Sequence, residues 1–194
     1  CGGGAWGRSG AAPPRIRTSL KAVAIDAHGG LEQVRLRTDW PEPTAGPGQA
    51  VVEVKACGLN YLDIFVLRGM PGLPVEMPRI RGGDIAGVVH SVGTGVARDW
   101  IGKRVLVDPH TKHGGALGEH ANGGLCERIA VDADNLIAMP DAVTFEQAAS
   151  LPIAYGTAYV RSRALWLPLG MHFGWNAAQR ILFGLPVSGL RVAG

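Results

Sequence analysis

The sequence predicts a mainly β fold with a few helices, curled into a partly open barrel, and three observations carry that prediction. Glycine and proline supply 29 and 13 of the 194 residues, more turn punctuation than a helical bundle tolerates and without the fixed period of collagen. The apolar runs are short, β-branched and closely spaced. Helical signals are few, at Leu62, Phe65, Val66 and Leu67, after Thr144, and in an apolar helical C-terminal tail. A hydrophobic fraction of 46% and a charged fraction of 18% give enough apolar material for a real core, and exclude bulk disorder or an ordinary membrane protein.

The elements follow in order. Residues 1–20 lack the apolar core of a signal peptide and read as a flexible leader. KAVAID, from Lys21, reads as a strand, HGG as a turn, and LEQVRLRTD as a second strand with Val34 and Leu36 alternating. WPEPTAGPG is a proline-rich connection that cannot be helix. The central stretch, Gln49 to Gly95, holds two β-branched runs, Val51 to Ala56 and Ile85 to Val92. Between them Leu62, Phe65, Val66 and Leu67 have helical spacing, followed by a proline-punctuated crossing. Asn60 and Asp63 fall just after the first run, and Gly82-Gly83-Asp84 just before the second. Polar groups set at strand ends by tight turns are where a scaffold commonly carries chemistry. KRVLVD is a further strand, residues 109–124 form a loop, and strands return at Leu125 to Val131 and Asn135 to Met139. Thr144 then reads as the N-cap of a helix running into FEQAASLPIAYGTAY.

Charge is unevenly placed. Residues 21–159 carry 12 bases against 16 acids, a net of −4, while both ends are basic without an acid. The folded middle therefore has no basic stripe for nucleic acid. Three widely spaced cysteines, Cys1, Cys57 and Cys126, form neither a disulfide framework nor a cysteine-rich zinc site, and fit a reducing, cytoplasmic setting. His110, His113 and His120 with Asp108 could be read as a metal site, or as solvated histidines on a glycine-rich loop that does not fix ligand geometry. The second reading is adopted, and no metal is expected.

Taken together, KAVAID, VKACGLNYLD, GGDIAGVVHSVGTGV, GKRVLVD, GEHANGGLCERIAV and LPIAYGTAY resemble, in order and spacing, the N-terminal GroES-like domain of the medium-chain dehydrogenase/reductase superfamily. The GLNYLD and GGDIAGVV forms are similar to its zinc-independent quinone-oxidoreductase branch. The resemblance spans residues 21–159. It implies a GroES-like catalytic domain that would work with NADP(H) or NAD(H) on a quinone or enone, in family members that are often homo-oligomers.

Position by position, the resemblance places Asn60, Gly83 and Ile153 where zinc-dependent members have a cysteine, a histidine and a second cysteine. None of the three suits zinc. The proton-relay hydroxyl is matched by Leu62. Asn60 becomes the catalytic candidate, its amide able to donate to a carbonyl oxygen, although it could simply close the strand-to-helix turn. Tyr61 and Thr157 match positions near the cofactor, and Asp63 and Asp84 match acids behind the site. Phe65 stands where related reductases often have a tyrosine.

An intact member continues after TAY into a dinucleotide-binding βαβ unit with a GxGxxG turn, and residues 160–194 contain none. Little or no turnover and weak cofactor binding are therefore expected of this chain. From Leu165 the sequence LWLPLGMHFGWNAAQRILFGLPVSG is apolar with Arg180 its only charge. It resembles the last motif of the CAAX-protease and bacteriocin-processing intramembrane proteases, with His172 and Asn176 on one helix face. The expectation is an unrelated apolar tail over residues 160–194, joined as a fused fragment. The alternative function is a non-catalytic β-barrel interaction module held at a membrane through residues 165–190.

Overall fold

The computed structural model of the chain describes residues 18–72, 74–112 and 114–153. Strands β1 (Ser19–Ile25), β2 (Val34–Pro41) and β4 (Arg79–Ile80) form one sheet in the order β2-β1-β4. Strands β3 (Gln49–Gly58), β5 (Asp84–Val92), β6 (Arg104–Val107), β7 (Arg128–Asp132) and β8 (Leu136–Ala138) form a second, in the order β7-β3-β5-β6-β8. Every pairing is antiparallel. Helix α1 (Tyr61–Arg68) follows β3 and the short helix α2 (Phe145–Ala148) follows β8.

The two sheets are stitched together by the segment just before β7. Val23 N–H donates to Leu125 O at 2.7 Å and Glu127 N–H to Lys21 O at 3.1 Å, while Val54 N–H donates to Glu127 O at 3.0 Å. One strip of backbone thus bonds both β1 and β3, which curls the fold into a partly open barrel. Inside it Val52, Ile85, Val89, Val105, Val107, Ile129 and Val131 are buried as one cluster, the inward residues of the alternating runs. Helix α1 packs Val66 and Leu67 onto Ile25 of β1, and α2 packs Ala148 and Ala149 onto Ala86 of β5.

Four expectations change. Leu31–Gln33 is a single 3-10 turn, so the second strand begins at Val34 and runs on through Pro41. Strand β2 is bonded on one side only, which leaves the missing proline N–H harmless. The crossing after α1 contains β4, too short to leave a periodic signal. Leu125 to Glu127 are bridging backbone rather than the start of β7, which begins at Arg128. The helix capped by Thr144 is one turn long. Thr144 does accept from Gln147 N–H at 3.2 Å, and Gln147 Oε1 accepts from Thr144 N–H at 2.9 Å. Helix α2 nonetheless stops at Ala148, ahead of Pro152, which lacks the N–H a continuing helix needs. The tail, with His172 and Asn176, and the leader through Arg17 lie outside the described residues.

Candidate functional site

The site lies where β3, the N-terminus of α1 and the start of β5 meet. The run of β-branched residues ends at Gly58, and Asn60, in extended conformation (φ −126°, ψ 167°), becomes the N-cap of α1. Asp63 reaches back to the N-cap, as in a capping box: Asn60 N–H donates to Asp63 Oδ2 at 2.7 Å, while Asp63 N–H donates to the backbone O of Asn60 at 3.0 Å. Asp63 is 4% exposed, and its other oxygen accepts from Gly82 N–H at 2.8 Å. One buried carboxylate therefore ties the start of the helix to the Gly82-Gly83-Asp84 turn, 19 residues further on.

Asp84 stands across from it. At 2% exposure its carboxylate accepts from Asn60 Nδ2 at 2.8 Å and from Ile153 N–H at 2.7 Å. Burial raises its pKa above the usual carboxylate range; the two hydrogen bonds oppose the rise and the nearby Asp63 charge adds to it. Asp84 thus links Asn60 to Ile153. Gly83 completes the convergence, since a Cβ built there would lie 2.5 Å from Ile153 Cδ1 and 3.0 Å from Leu117 O. The three positions the sequence assigned to a ligand triad are brought together, and they hold an amide, no side chain and an alkyl group. This set does not fit zinc.

Asn60 keeps chemical capacity. A carboxamide has two N–H donors; Asp84 takes one and fixes the rotamer, leaving the second for an acceptor oxygen in front of the turn. Tyr61 is 75% exposed, its ring 6.4 Å from that of Phe65, so ring and phenol are open to a partner. Leu62 instead packs with Ile25, Val66 and Leu67, a core role in place of a proton relay. Thr157 lies outside the described residues. Cys57, half-buried beneath the turn, is no nucleophile: desolvation first, then the Asp63 charge, push its thiol up to about 12.

The loop after β6 is fastened by a residue the sequence did not single out. Asn135 Nδ2 donates to Asp108 O at 2.7 Å and to His110 O at 2.5 Å. His110 itself is exposed and hydrogen-bonds Asp108 Oδ1 at 2.7 Å. Among the described residues, no three His, Cys, Asp or Glu side chains gather as a metal-binding group; His113 is outside them. Arg81, also unforeseen, sends Nη1 to Asp63 O at 2.9 Å. Its only sequence signal is an odd one, a basic residue two places after Arg79 in an otherwise apolar approach to β5.

Residues 46–141 match the family described as the alcohol dehydrogenase GroES-like domain, and the described residues have a GroES-like fold. Among curated proteins the chain is 35% identical over 150 residues to the synaptic vesicle membrane protein VAT-1 homolog of Rattus norvegicus, covering 77% of this chain and 33% of that one. It is 31% identical over 140 residues to the quinone oxidoreductase of the same organism, covering 72% and 39%. Among solved structures, an NAD-dependent alcohol dehydrogenase superposes with a TM-score of 0.63 at 32% identity, covering 72% of this chain and 45% of that chain. The chain therefore spans between a third and a half of the length of these relatives. The intramembrane-protease resemblance finds no counterpart among these relatives.

Proposed function

We propose that residues 21–153 form the substrate-side wall of a zinc-independent, NAD(P)H-dependent oxidoreductase of quinone or enone reductase type. The observation that carries this reading is Asn60. It is held at the strand–helix junction by Asp84 with one amide N–H uncommitted, beside two positions, Gly83 and Ile153, that offer no metal ligand. A bound reduced nicotinamide would supply hydride. Asn60 then orients the acceptor carbonyl and stabilises negative charge on its oxygen. Asp84 locks the amide, Asp63 holds the turn, and Tyr61 offers a face to the cofactor. Asp84 and Asp63 are positioning residues: both are buried, and their oxygens accept from Asn60, Gly82 and Ile153. The described residues contain no strand–turn–helix cradle for dinucleotide phosphates, and this supports weak cofactor binding and little turnover by these residues alone.

The test joins the chain, through residue 153, to the remaining part of the rat quinone oxidoreductase. The chimera should reduce quinones with NADPH, and Asn60→Ala should lower kcat by about 10²-fold, the usual loss of one oxyanion donor, at unchanged KM for NADPH. An Asn60→Ala chimera with full kcat refutes the assignment of Asn60.

A second reading, a non-catalytic module at a membrane, is favoured by the apolar stretch 165–189 and by the vesicle-membrane name of the rat relative. Among the described residues no helix is long and apolar enough to cross a membrane. Flotation on liposomes separates the readings: equal behaviour of the full chain and of residues 21–159 ends the membrane reading.

A further inference from the structure

Helix α1 carries apolar side chains on both of its faces. Val66 and Leu67, with Leu62, are turned into the fold against Ile25. Tyr61, Ile64 and Phe65 recur at the helical spacing of three and four residues on the opposite side, and all three are exposed. Leu59, just before the N-cap, extends the stripe: it and Tyr61 are 69% and 75% exposed. Arg68 is the one charged residue on this side. A helix that is apolar all round belongs under cover, and the described residues leave the stripe open.

The chain leaves the described fold at the foot of this stripe. Ile153 N–H donates to Asp84 Oδ1 at 2.7 Å, and the other oxygen of that carboxylate accepts from Asn60 Nδ2 at 2.8 Å. One carboxylate thus separates Ile153 from the residue between Leu59 and Tyr61. Leu151, two places before the exit, is exposed as well. Residues 154–164 span up to about 36 Å when extended, against about 12 Å for the whole of α1. Beyond them Leu165 to Gly189 is largely apolar with Arg180 its one charge, a stretch that gains most by burial against another apolar surface. Charge favours the same partner: residues 160–194 carry bases and no acid, while residues 21–159 carry 12 bases against 16 acids.

We propose that residues 165–189 fold back onto the exposed stripe of Leu59, Tyr61, Ile64 and Phe65. Seated there, they shield the Asn60 amide between Leu59 and Tyr61, so that any ligand of that amide must displace the tail. The proposal uses only the stripe and the tail and is independent of the oxidoreductase reading.

The test is photocrosslinking in the full chain, without lipid. Phe65→p-benzoylphenylalanine places a reactive ketone on the stripe, and Leu36→p-benzoylphenylalanine places one at an exposed position of β2. Heavy-isotope and ordinary chains are mixed equally before irradiation, and cross-linked peptides are identified by mass spectrometry. The Phe65 probe should join peptides of residues 165–189 within single chains, several-fold more often than the Leu36 probe. Phe173→Asp with Trp175→Asp, which puts charge into the tail and leaves the described residues untouched, should abolish those links. Hydroxyl-radical labelling of Tyr61 should likewise rise several-fold from the unaltered chain to this double variant, a readout that stands if the Phe65 probe fails to fold. Links between heavy and ordinary chains assign the stripe to a second copy and overturn the proposal. An absence of tail links at Phe65 also overturns it, and recovery of the chain on floated liposomes then assigns the tail to a bilayer. Equal linking by the Phe65 and Leu36 probes, or Tyr61 labelling that the tail variant leaves unchanged, shows an uncovered stripe and overturns it too.

Discussion

Replacing Asp63 by alanine probes the joint on which the whole site turns. The carboxylate is buried, and its two oxygens accept from Asn60 N–H at 2.7 Å and Gly82 N–H at 2.8 Å. Hydrogen bonds to a charged group contribute about 1.5–3 kcal/mol each, and an orphaned buried N–H costs about 1–3 kcal/mol. Asp63→Ala removes both acceptors at once and opens a small void, so the loss should be about 3–5 kcal/mol. That is a large share of the roughly 5–15 kcal/mol that holds an ordinary domain. Asp63→Asn should lose less, because its carbonyl still accepts one N–H while its amide faces the other. Equilibrium urea unfolding followed by fluorescence of Trp40 and Trp100 measures both, with an unchanged m-value showing that stability alone has moved. An alanine variant within about 1 kcal/mol of the parent would show that the two backbone donors are satisfied some other way, and would refute the clamp.

Three further predictions concern the same corner. Asp84 has its folded pKa raised above the ordinary value of 3.8, so the folded state holds its proton more tightly than the unfolded chain does. Its contribution to stability is full below about pH 3.8 and is lost as pH rises to the folded pKa. Unfolding free energies against pH should therefore fall for the parent relative to Asp84→Asn across that window; a relative rise would contradict the burial argument. Gly83→Ala should destabilise by about 1–3 kcal/mol through overpacking against Ile153 Cδ1 and Leu117 O. Ile153→Val, which removes that Cδ1, should recover part of the loss in thermal melts; no recovery would mean the contact is misplaced. Finally, Asn60→Cys, Gly83→His and Ile153→Cys together should create a tetrahedral metal site, read as thiolate-to-cobalt bands on adding Co2+. A colourless triple variant would show that the three positions do not converge.

Much of the site was legible as residue types at strand ends. Asn60, Asp63 and Asp84 stand out because short polar residues interrupt β-branched runs beside glycines, and the fold does place them in one hydrogen-bonded group. The chain alone did not show what each of them bonds. Nothing local tells that Asp63 reaches Gly82, or that Asp84 reaches Ile153, 69 residues away, since such partners are chosen by the packing of β5 against β3 and α2. The end of α1 shows the same limit. Gly29 N–H donates to Leu67 O at 2.8 Å and His28 Nδ1 lies 2.8 Å from Val66 O, so the turn after β1 caps a helix nearly forty residues later.

What the sequence determined by itself was the periodic part: short alternating strands, one amphipathic helix after Asn60, and the cap at Thr144. These depend on side-chain type and nearest neighbours, the range over which propensity and turn chemistry act. Tertiary structure alone decided that Leu125 to Glu127 close the two sheets, that Leu62 belongs to the core, that Asn135 secures the His110 loop, and that Arg79 and Arg81 lie buried. Each of these depends on which distant backbone or side chain arrives to exclude water, and burial of that kind has no signature in local spacing.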